Sequence, residues 1–533
     1  MFHQLLTPVN HNLPESFLVA LLPIAAVLIL LGILKRPAWQ ASLVGLALGL
    51  LIAIAVWRLP VGFAVESTVA GVAFALWPIM WIVFAALVLY NVAVIAGQFD
   101  AFRRWILQHL PDDRRIVLVV IGYCFGALLE GVTGFGAPVA IMSSLLIMLG
   151  FDALDAIVYS LIFNTAPVAF GSIGVPITTL AGVTGLPDTV LGAMVGRQLP
   201  FLALLLPFYA IAMYGGWRSV RELWPVLLVA AVTGALAQFA TANYLSYHLT
   251  NIVSSLLSLA VTVVYLKLWP PARAPAYAVH RAPSLEEAHG RVPPWQGWIP
   301  WLIVAAVVTL WTIWKVAAFR QMNLAWAGLN DGVFITLYHK PYAAVFNFQP
   351  LATGTAILLS SVLTGLAGRV DLKGYGRAVV IAWKQIRLPT LTVTAIVGLA
   401  FLMNYSGIAY TLGLGVASVG PLFPLLSAFL GWLAVFLSGS DSSGNALFGN
   451  LQVVAARQLH LNAILIAATN SSGGVMAKMI SPQNIATGCA TTQLKGHEGA
   501  IFSRTFLHSI VLTVLLGCLV WLQQYVWPWM IAH

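Results

Sequence analysis

Long apolar runs recur along the chain and predict membrane-spanning helices. A helix needs roughly 18 or more mostly apolar residues to cross the hydrocarbon core of a bilayer. The runs that reach this length are 17–34, 39–57, 67–97, 190–214, 222–240, 248–266, 299–318, 349–367 and 501–527. The sequence therefore predicts an all-α polytopic membrane protein rather than an outer-membrane barrel, whose strands are shorter and alternate.

Two further regions, 116–186 and 388–494, are apolar but repeatedly interrupted by Gly, Pro, Asn, Ser and Thr. Interruptions of this kind leave backbone groups without partners in lipid, so they occur where the chain faces protein or a wet cavity. The elements we predict are re-entrant hairpins at 116–150 and 421–459, broken helices at 154–186 and 461–494, and linking arms at 98–115 and 405–420. These regions are where we look for chemistry.

Composition excludes a soluble protein. The chain of 533 residues is 60% hydrophobic and 8% charged, far from the quarter of charged residues that is usual in soluble domains. The net charge of +10 is spread over loops, which indicates cytoplasmic loops and not a nucleic-acid surface. One arrangement of about twelve spans and two hairpins satisfies nearly every basic loop. It predicts a multi-pass membrane protein with both termini outside.

The two interrupted regions resemble each other and predict an internal repeat. The matched residues are Gly131 with Gly439, Gly136 with Gly444, Asn164 with Asn470, Pro176 with Pro482 and Arg197 with Arg504, at offsets of 306 to 308. The predicted orientation makes the copies inverted, with repeats at 1–214 and 299–533 and two linking spans and a cytoplasmic loop at 215–298. Paired interruptions in inverted repeats indicate the binding site of a secondary transporter.

Small and polar residues in these regions are the candidate substrate ligands. Broken helices expose N–H groups with a partial positive charge, which suit a carboxylate, and small residues allow close approach to the backbone. The candidates are Gly131, Thr133, Gly134, Gly136, Asn164, Thr165, Ser440, Ser442, Ser443, Asn470, Ser471, Ser472 and Lys478. Lys478 is chosen because it lies between a predicted break at Asn470 and Pro482. Tight helix packing is the alternative explanation for the small residues.

Glu130 and Asp441 are the acids of the two hairpin tips. A charged carboxylate at the centre of a membrane costs roughly 3 kcal/mol on insertion scales, so each is a candidate proton carrier, and the sequence does not choose between them. Three arginines, Arg197, Arg457 and Arg504, also lie within or beside apolar runs and need partners or a wet cavity. No cofactor or metal site is predicted, and the oligomeric state stays open.

At these residues the sequence resembles the lactate permease family over essentially its whole length. The matching stretches are LLEGVTGFGAPVAI (128–141), FNTAPVAFGSIGVPI (163–177), SGSDSSGNALFGNLQVVAARQL (438–459) and AATNSSGGVMAKMISPQNIATG (467–488). The resemblance implies a transporter that imports lactate or glycolate with protons across a bacterial inner membrane, which makes the predicted outer side, with both termini, periplasmic. It also implies an elevator-type architecture, in which paired hairpins ride in a mobile domain against a static scaffold.

Two other functions are compatible with parts of the sequence. Sodium coupling is the closer rival, because unwound carbonyls and Asn and Ser oxygens also suit Na⁺. An intramembrane transferase is the remote one, because it needs an acidic or His–Asp cluster at the membrane face. Asp112 and Asp113 are the nearest approach to such a cluster, and they lie in a basic loop.

Overall fold

A computed structural model describes residues 1–30, 34, 36–134, 137–272, 274–279, 292–492, 494 and 497–533. The chain is mostly helical, as the apolar runs predict. The first ten helices are α1 (Leu13–Leu28), α2 (Ala38–Ala55), α3 (Val61–Phe74), α4 (Trp81–Ile95), α5 (Gln98–His109), α6 (Arg114–Val117), α7 (Gly126–Val132), α8 (Ala137–Met148), α9 (Ala153–Phe163) and α10 (Gly171–Thr184). Wider π-helical turns join α3 to α4 and α6 to α7.

The second half of the described chain is equally helical. Its helices are α11 (Asp188–Ala240), α12 (Thr250–Leu268), α13 (Ile299–Ile313), α14 (Thr353–Ala367), α15 (Leu372–Ser406), α16 (Ile408–Ala417), α17 (Phe423–Ser438), α18 (Asp441–Gln458), α19 (Ala463–Ala477), α20 (Pro482–Thr492) and α21 (Glu498–Tyr525). Within the described residues, nine helical stretches are long and apolar enough to cross a membrane, or eleven if each bent pair counts as one span.

Helix α11 contains the two predicted spans 190–214 and 222–240 in one run of 53 residues. A straight helix of that length would measure about 80 Å, far more than the thickness of a bilayer. Gly216 interrupts it with φ 70° and ψ 178°, a conformation that a residue with a side chain rarely adopts. The break therefore separates two segments, and it falls inside the predicted loop. The total of twelve spans stays a prediction.

The interrupted regions form the buried centre of the molecule, and the regular spans surround them. In the 18-residue windows of highest hydropathy, 94% of residues are buried within Arg114–Val132 and 89% within Ala463–Ile480, compared with 33% for Ala38–Ala55. Helix α19 packs against both α17 and α18, and α18 packs against α10. The broken elements of both halves therefore meet where protein, not lipid, covers the irregular backbone.

Short strands, which the apolar pattern did not predict, occur at the N-terminus and between α13 and α14. The strands are β1 (Phe2–His3), β2 (Met322–Ala325), β3 (Val333–Ile335), β4 (Lys340–Pro341) and β5 (Val345–Phe348). β2 pairs with β5 in antiparallel fashion, and β3 pairs with β1 in parallel and with β4 antiparallel. The N-terminus and the segment 319–348 therefore lie on the same side of the helical bundle. Runs of two to four residues are too short for a periodicity of two to reveal.

Candidate functional site

A buried, irregular segment separates α9 from α10. It runs over 164–167, inside the predicted broken helix, and is followed by a 3₁₀ turn at Val168–Phe170. The helical stretches on either side of it are bent by 67°. Asn251 donates its amide N–H to the carbonyl of Pro167 at 2.7 Å. Ring nitrogen Nδ1 of His248 lies 2.7 Å from the carbonyl of Ile173. These side chains satisfy backbone groups that lipid could not.

Lys478 begins the break in the second half and forms a buried ion pair with the first half. The break consists of the 3₁₀ turn Lys478–Ile480 and Ser481, after which Pro482 starts α20. Nζ of Lys478 lies 2.8 Å from Oε1 of Glu130, and the two side chains are 4% and 2% exposed. The amide of Asn164 donates to Oε2 of the same carboxylate at 2.9 Å. Both carboxylate oxygens of Glu130 are thus occupied.

Asp441 occupies the first position of α18 and is also buried. Ser440 caps this helix by accepting a hydrogen bond from the backbone N–H of Ser443. The hydroxyl of Ser471 donates to Oδ2 of Asp441 at 2.5 Å. Oδ1 has no hydrogen-bond partner among the described residues and faces Gly474, where an added Cβ would lie 2.6 Å from it. The second carboxylate therefore keeps one oxygen free.

A small cavity of about 30 Å³ lies between the two acids and is lined by residues of both halves. This volume holds about two water molecules. The lining residues are Glu130, Gly134, Val168, Gly171, Ser172, Val175, Pro176, Gly439, Ser440, Asp441, Ser442, Lys478 and Gln483. The structure thus brings together both predicted acids, Lys478, Gly134, Ser440 and Ser442 at one place.

Asn470 does not lie at a break, contrary to the sequence-based prediction. It is inside the continuous helix α19, and the break begins eight residues later at Lys478. Its amide group donates to Asn445 at 2.9 Å, and its carbonyl oxygen accepts from Gln452 at 2.8 Å. The glycines near it serve close packing, because an added Cβ on Gly473 would overlap the carbonyl of Ala428. Asn470 therefore joins α19 to α18 and does not line the cavity.

Two predicted hydroxyl ligands, Thr133 and Thr165, do not line the cavity. Thr133 donates to the carbonyl of Leu129 at 2.9 Å, and Thr165 donates to that of Leu161 at 3.2 Å, so both bond to their own helices. Gly131 faces α12, and an added Cβ there would lie 2.7 Å from Cβ of Asn251.

Three predicted ligands remain: Ser472, Ser443 and Gly136. Ser472 is buried next to Ser471, and within the described chain its hydroxyl has no hydrogen-bond partner. Ser443 is buried in the first turn of α18, where its backbone N–H serves the cap. Gly136 lies outside the described residues.

The three predicted arginines lie away from the cavity. Arg197 donates to Asn243 and to the carbonyls of Met530 and Ile531, which holds the C-terminal segment against α11. Arg504 pairs with Asp155 at 2.7 Å near the ends of α21 and α9. Arg457, on the last turn of α18, lines a separate, larger cavity.

Asp113, the acid considered for a transferase, forms an ion pair with Arg115 at 2.7 Å. This pair is part of a buried cluster and not a free acidic site at the membrane face.

Seven lining residues were not among the predicted site residues: Val168, Gly171, Ser172, Val175, Pro176, Gly439 and Gln483. Ser172 and Ile173 have φ of 43° and 58°, a left-handed conformation that is costly for residues with a side chain. An added Cβ on Gly171 would lie 2.6 Å from Oε1 of Glu130, so this position needs glycine. The sequence feature that could have indicated these residues is the Gly-Ser-Ile-Gly run at 171–174, because two glycines so close together in an apolar region favour an irregular backbone.

Comparison with known proteins identifies the family. The L-lactate permease family profile matches residues 16–527. The chain belongs to this family. Over 97% of both chains, this permease is 41% identical to the glycolate permease GlcA of Escherichia coli. It is 39% identical to the L-lactate permease of Bacillus subtilis over 99% of both chains, and 40% identical to that of Salmonella typhimurium over 98% of both.

A solved structure shares the fold at low sequence identity. MtrF of Neisseria gonorrhoeae, whose structure was described as illuminating a class of antimetabolite efflux pumps, aligns with a TM-score of 0.52 at 14% identity. The alignment covers 94% of the permease and 97% of MtrF. This likeness concerns the fold alone. Together with the many apolar helices, it fits a polytopic membrane protein.

Proposed function

We propose that this permease imports lactate, glycolate and similar 2-hydroxymonocarboxylates across a bacterial inner membrane together with protons. The names of its relatives support the substrate class. The observation that carries the proposal is Lys478, a buried cation held between the two halves at a cavity that also contains Asp441. A cation, a carboxyl group and hydroxyls in one small space suit an acid of three carbons or fewer.

Lys478 is the proposed ligand of the substrate carboxylate. Its ammonium group has three donors, and Glu130 accepts only one of them. The hydroxyls of Ser172 and Ser442 line the same cavity and would bond the 2-hydroxyl group. Because about 30 Å³ is less than such an acid needs, the two tips must move apart to admit it. An elevator-type movement of the buried centre against the surrounding spans would provide this.

Asp441 is the proposed proton carrier. Glu130 has a cation on one oxygen and an amide on the other, so its charged form is compensated. Asp441 has one hydroxyl donor and a free oxygen that could carry the proton. A proton that travels with a carboxylate removes the net charge, which the membrane potential would otherwise oppose by about 2.3 kcal/mol per 100 mV.

Sodium coupling is the second candidate, because the same free oxygens suit a cation. Oδ1 of Asp441, Oδ1 of Asn164 and Oγ of Ser481 are buried and unpartnered within the described chain. Oxygen atoms of this kind, together with unwound carbonyls, form sodium sites in transporters.

Uptake of labelled lactate into proteoliposomes, driven by a pH gradient with and without sodium, distinguishes the two. Proton coupling predicts accumulation that follows the pH gradient in sodium-free buffer. Sodium dependence without a response to pH would overturn it. Asp331→Asn changes an exposed acid in the segment 319–348 and is the matched control for Asp441→Asn. It should behave like the unmodified permease in both conditions.

The topology that we propose for this import function has twelve spans, two hairpins and both termini in the periplasm. The pairing of β1 with β3 supports it, because it places the N-terminus and the segment 319–348 on one side. Single cysteines at the exposed positions 11 and 331, in a chain from which the three native cysteines have been removed, should react with an impermeant thiol reagent in intact cells. Labelling only after the membrane is opened would place both segments in the cytoplasm instead.

A further inference from the structure

A second, much larger cavity lies beside the small one. It has a volume of about 770 Å³ and is enclosed by α10, α15, α18 and the segment 319–348. Pro176 lines the small cavity, and Thr178, two residues further along α10, lines the large one. The same turn of α10 therefore contributes to both the site of Lys478 and Asp441 and this larger cavity, which we name the vestibule.

Positive charge dominates the vestibule wall. Arg457 and Lys340 line it, and Asp188 is its acidic residue. Asp188 already accepts a hydrogen bond from the hydroxyl of Tyr247 at 2.9 Å and another from the backbone N–H of Thr189. Arg457 is exposed and forms no salt bridge within the described chain. Its guanidinium is thus free to receive an anion.

One tyrosine side chain contacts this guanidinium, and three more tyrosines line the same cavity. Its central carbon lies 5.0 Å from the ring centre of Tyr338, in a cation–π contact. Tyr338 meets Tyr410 edge to face at 5.6 Å, and Tyr342 stacks on Tyr405 at 4.1 Å on the same wall. A planar cation held on a ring is well placed for bidentate binding of a carboxylate. The tyrosines offer apolar faces to a short carbon chain.

Helix α18 connects the vestibule to the inner site. Asp441 is its first residue and Arg457 belongs to its last turn, about 24 Å away at 1.5 Å per residue. A substrate held at Arg457 is therefore outside the inner site but on the same rigid element. The charge raises the local concentration of anions at the entrance, an effect that salt weakens.

We propose that Arg457 and Tyr338 form an entrance site that captures small carboxylates before they reach Lys478. This rests on the proposed function and adds a second recognition step to it. An entrance site sets how often the inner site is filled and not how fast the loaded permease turns over. Its loss should therefore change KM and leave the maximal rate unchanged.

The test measures the uptake of labelled lactate by intact cells as a function of lactate concentration and ionic strength. Arg457→Gln should raise KM about fivefold, the factor expected for losing a partly exposed ion pair, without changing the maximal rate per permease molecule. The increase of KM with salt should also weaken. Arg457→Lys should retain most of the effect of the charge.

Arg320→Gln is the matched control. It removes an exposed arginine of the same segment as Tyr338, outside the vestibule lining, and should leave KM unchanged. An unchanged KM in Arg457→Gln, or an equal change in both variants, would overturn the entrance site while leaving the proposed function intact. Absence of lactate uptake by the unmodified permease would overturn the proposed function itself.

Discussion

The two halves of the permease place an acid at equivalent tips but treat it differently. Glu130 lies near the end of α7 and is fully engaged, with Lys478 on one oxygen and Asn164 on the other. Asp441 lies at the start of α18 with a single hydroxyl donor and a free oxygen. The acid of the first half thus holds a cation in place, whereas that of the second keeps an unpartnered oxygen. Under the proposed function, this difference in partners assigns the cation to Glu130 and the proton to Asp441.

Removal of the Lys478 ammonium group should have the largest effect on stability and on lactate uptake. Lys478→Met leaves Glu130 buried without its cation, and breaking a buried pair in this way costs about 3–5 kcal/mol. We expect a much lower melting temperature of the purified permease and no lactate uptake. Glu130→Gln combined with Lys478→Met should recover much of the stability, because no buried charge is left alone, but it should not recover uptake.

Lys384→Met is the control for this experiment, since it removes an exposed lysine of α15. It should change the melting temperature little. Recovery of uptake in the double variant would show that Lys478 acts only as a partner of Glu130 and does not bind substrate.

Neutralising the acids one at a time should separate their roles. Asp441→Asn removes the proposed proton carrier but keeps the size and the hydrogen bond with Ser471. We expect loss of accumulation driven by a pH gradient, while exchange of external for internal lactate continues in preloaded proteoliposomes. Glu130→Gln removes the charge that holds Lys478 and should impair both measurements. The reverse pattern would assign proton coupling to Glu130.

Much of the site was predictable because acids and lysines are conspicuous in apolar sequence. Glu130, Asp441 and Lys478 stand out because an isolated charge in lipid is costly, and all three line the cavity. Asn164 was predictable from its place in the first interruption, and it bonds Glu130.

The predicted break at Asn470 failed for a physical reason. Glycines and serines next to it are typical both of interruptions and of close helix packing. Here the small residues serve close helix packing, because an added Cβ on Gly431 of α17 would overlap the backbone carbonyl of Asn470. Which of the two uses applies depends on the neighbouring helix, which the local sequence does not contain. For the same reason Ser172 and Gln483 escaped notice, because only the folded chain brings them to the cavity.

Alanine at the two tip glycines should produce unequal effects. Gly134 and Gly439 have φ of 54° and 69°, and a side chain in this region costs about 1–2 kcal/mol. An added Cβ on Gly134 would also overlap the hydroxyl of Ser172, whereas at Gly439 it would lie 2.7 Å from the flexible end of Gln483. We expect Gly134→Ala to reduce lactate uptake more than Gly439→Ala. Adding Ser172→Ala removes this overlap and should partly restore the melting temperature of the first variant and not of the second, but it should not restore uptake, because Ser172 is itself a proposed substrate ligand.

The smallest effects should come from the threonines that bond to their own helices. Thr133→Val and Thr165→Val keep the side-chain shape, and each removes one hydrogen bond, worth about 0.5–1.5 kcal/mol. Because neither lines the cavity, uptake kinetics should stay at those of the unmodified permease. Ser471→Ala is the informative counterpart, since it removes the one hydroxyl donor seen at Asp441, and it should reduce proton-driven uptake. A drop of similar size in all three variants would mean that the hydroxyls of both halves act on the substrate, and the unequal division between Glu130 and Asp441 would lose its support.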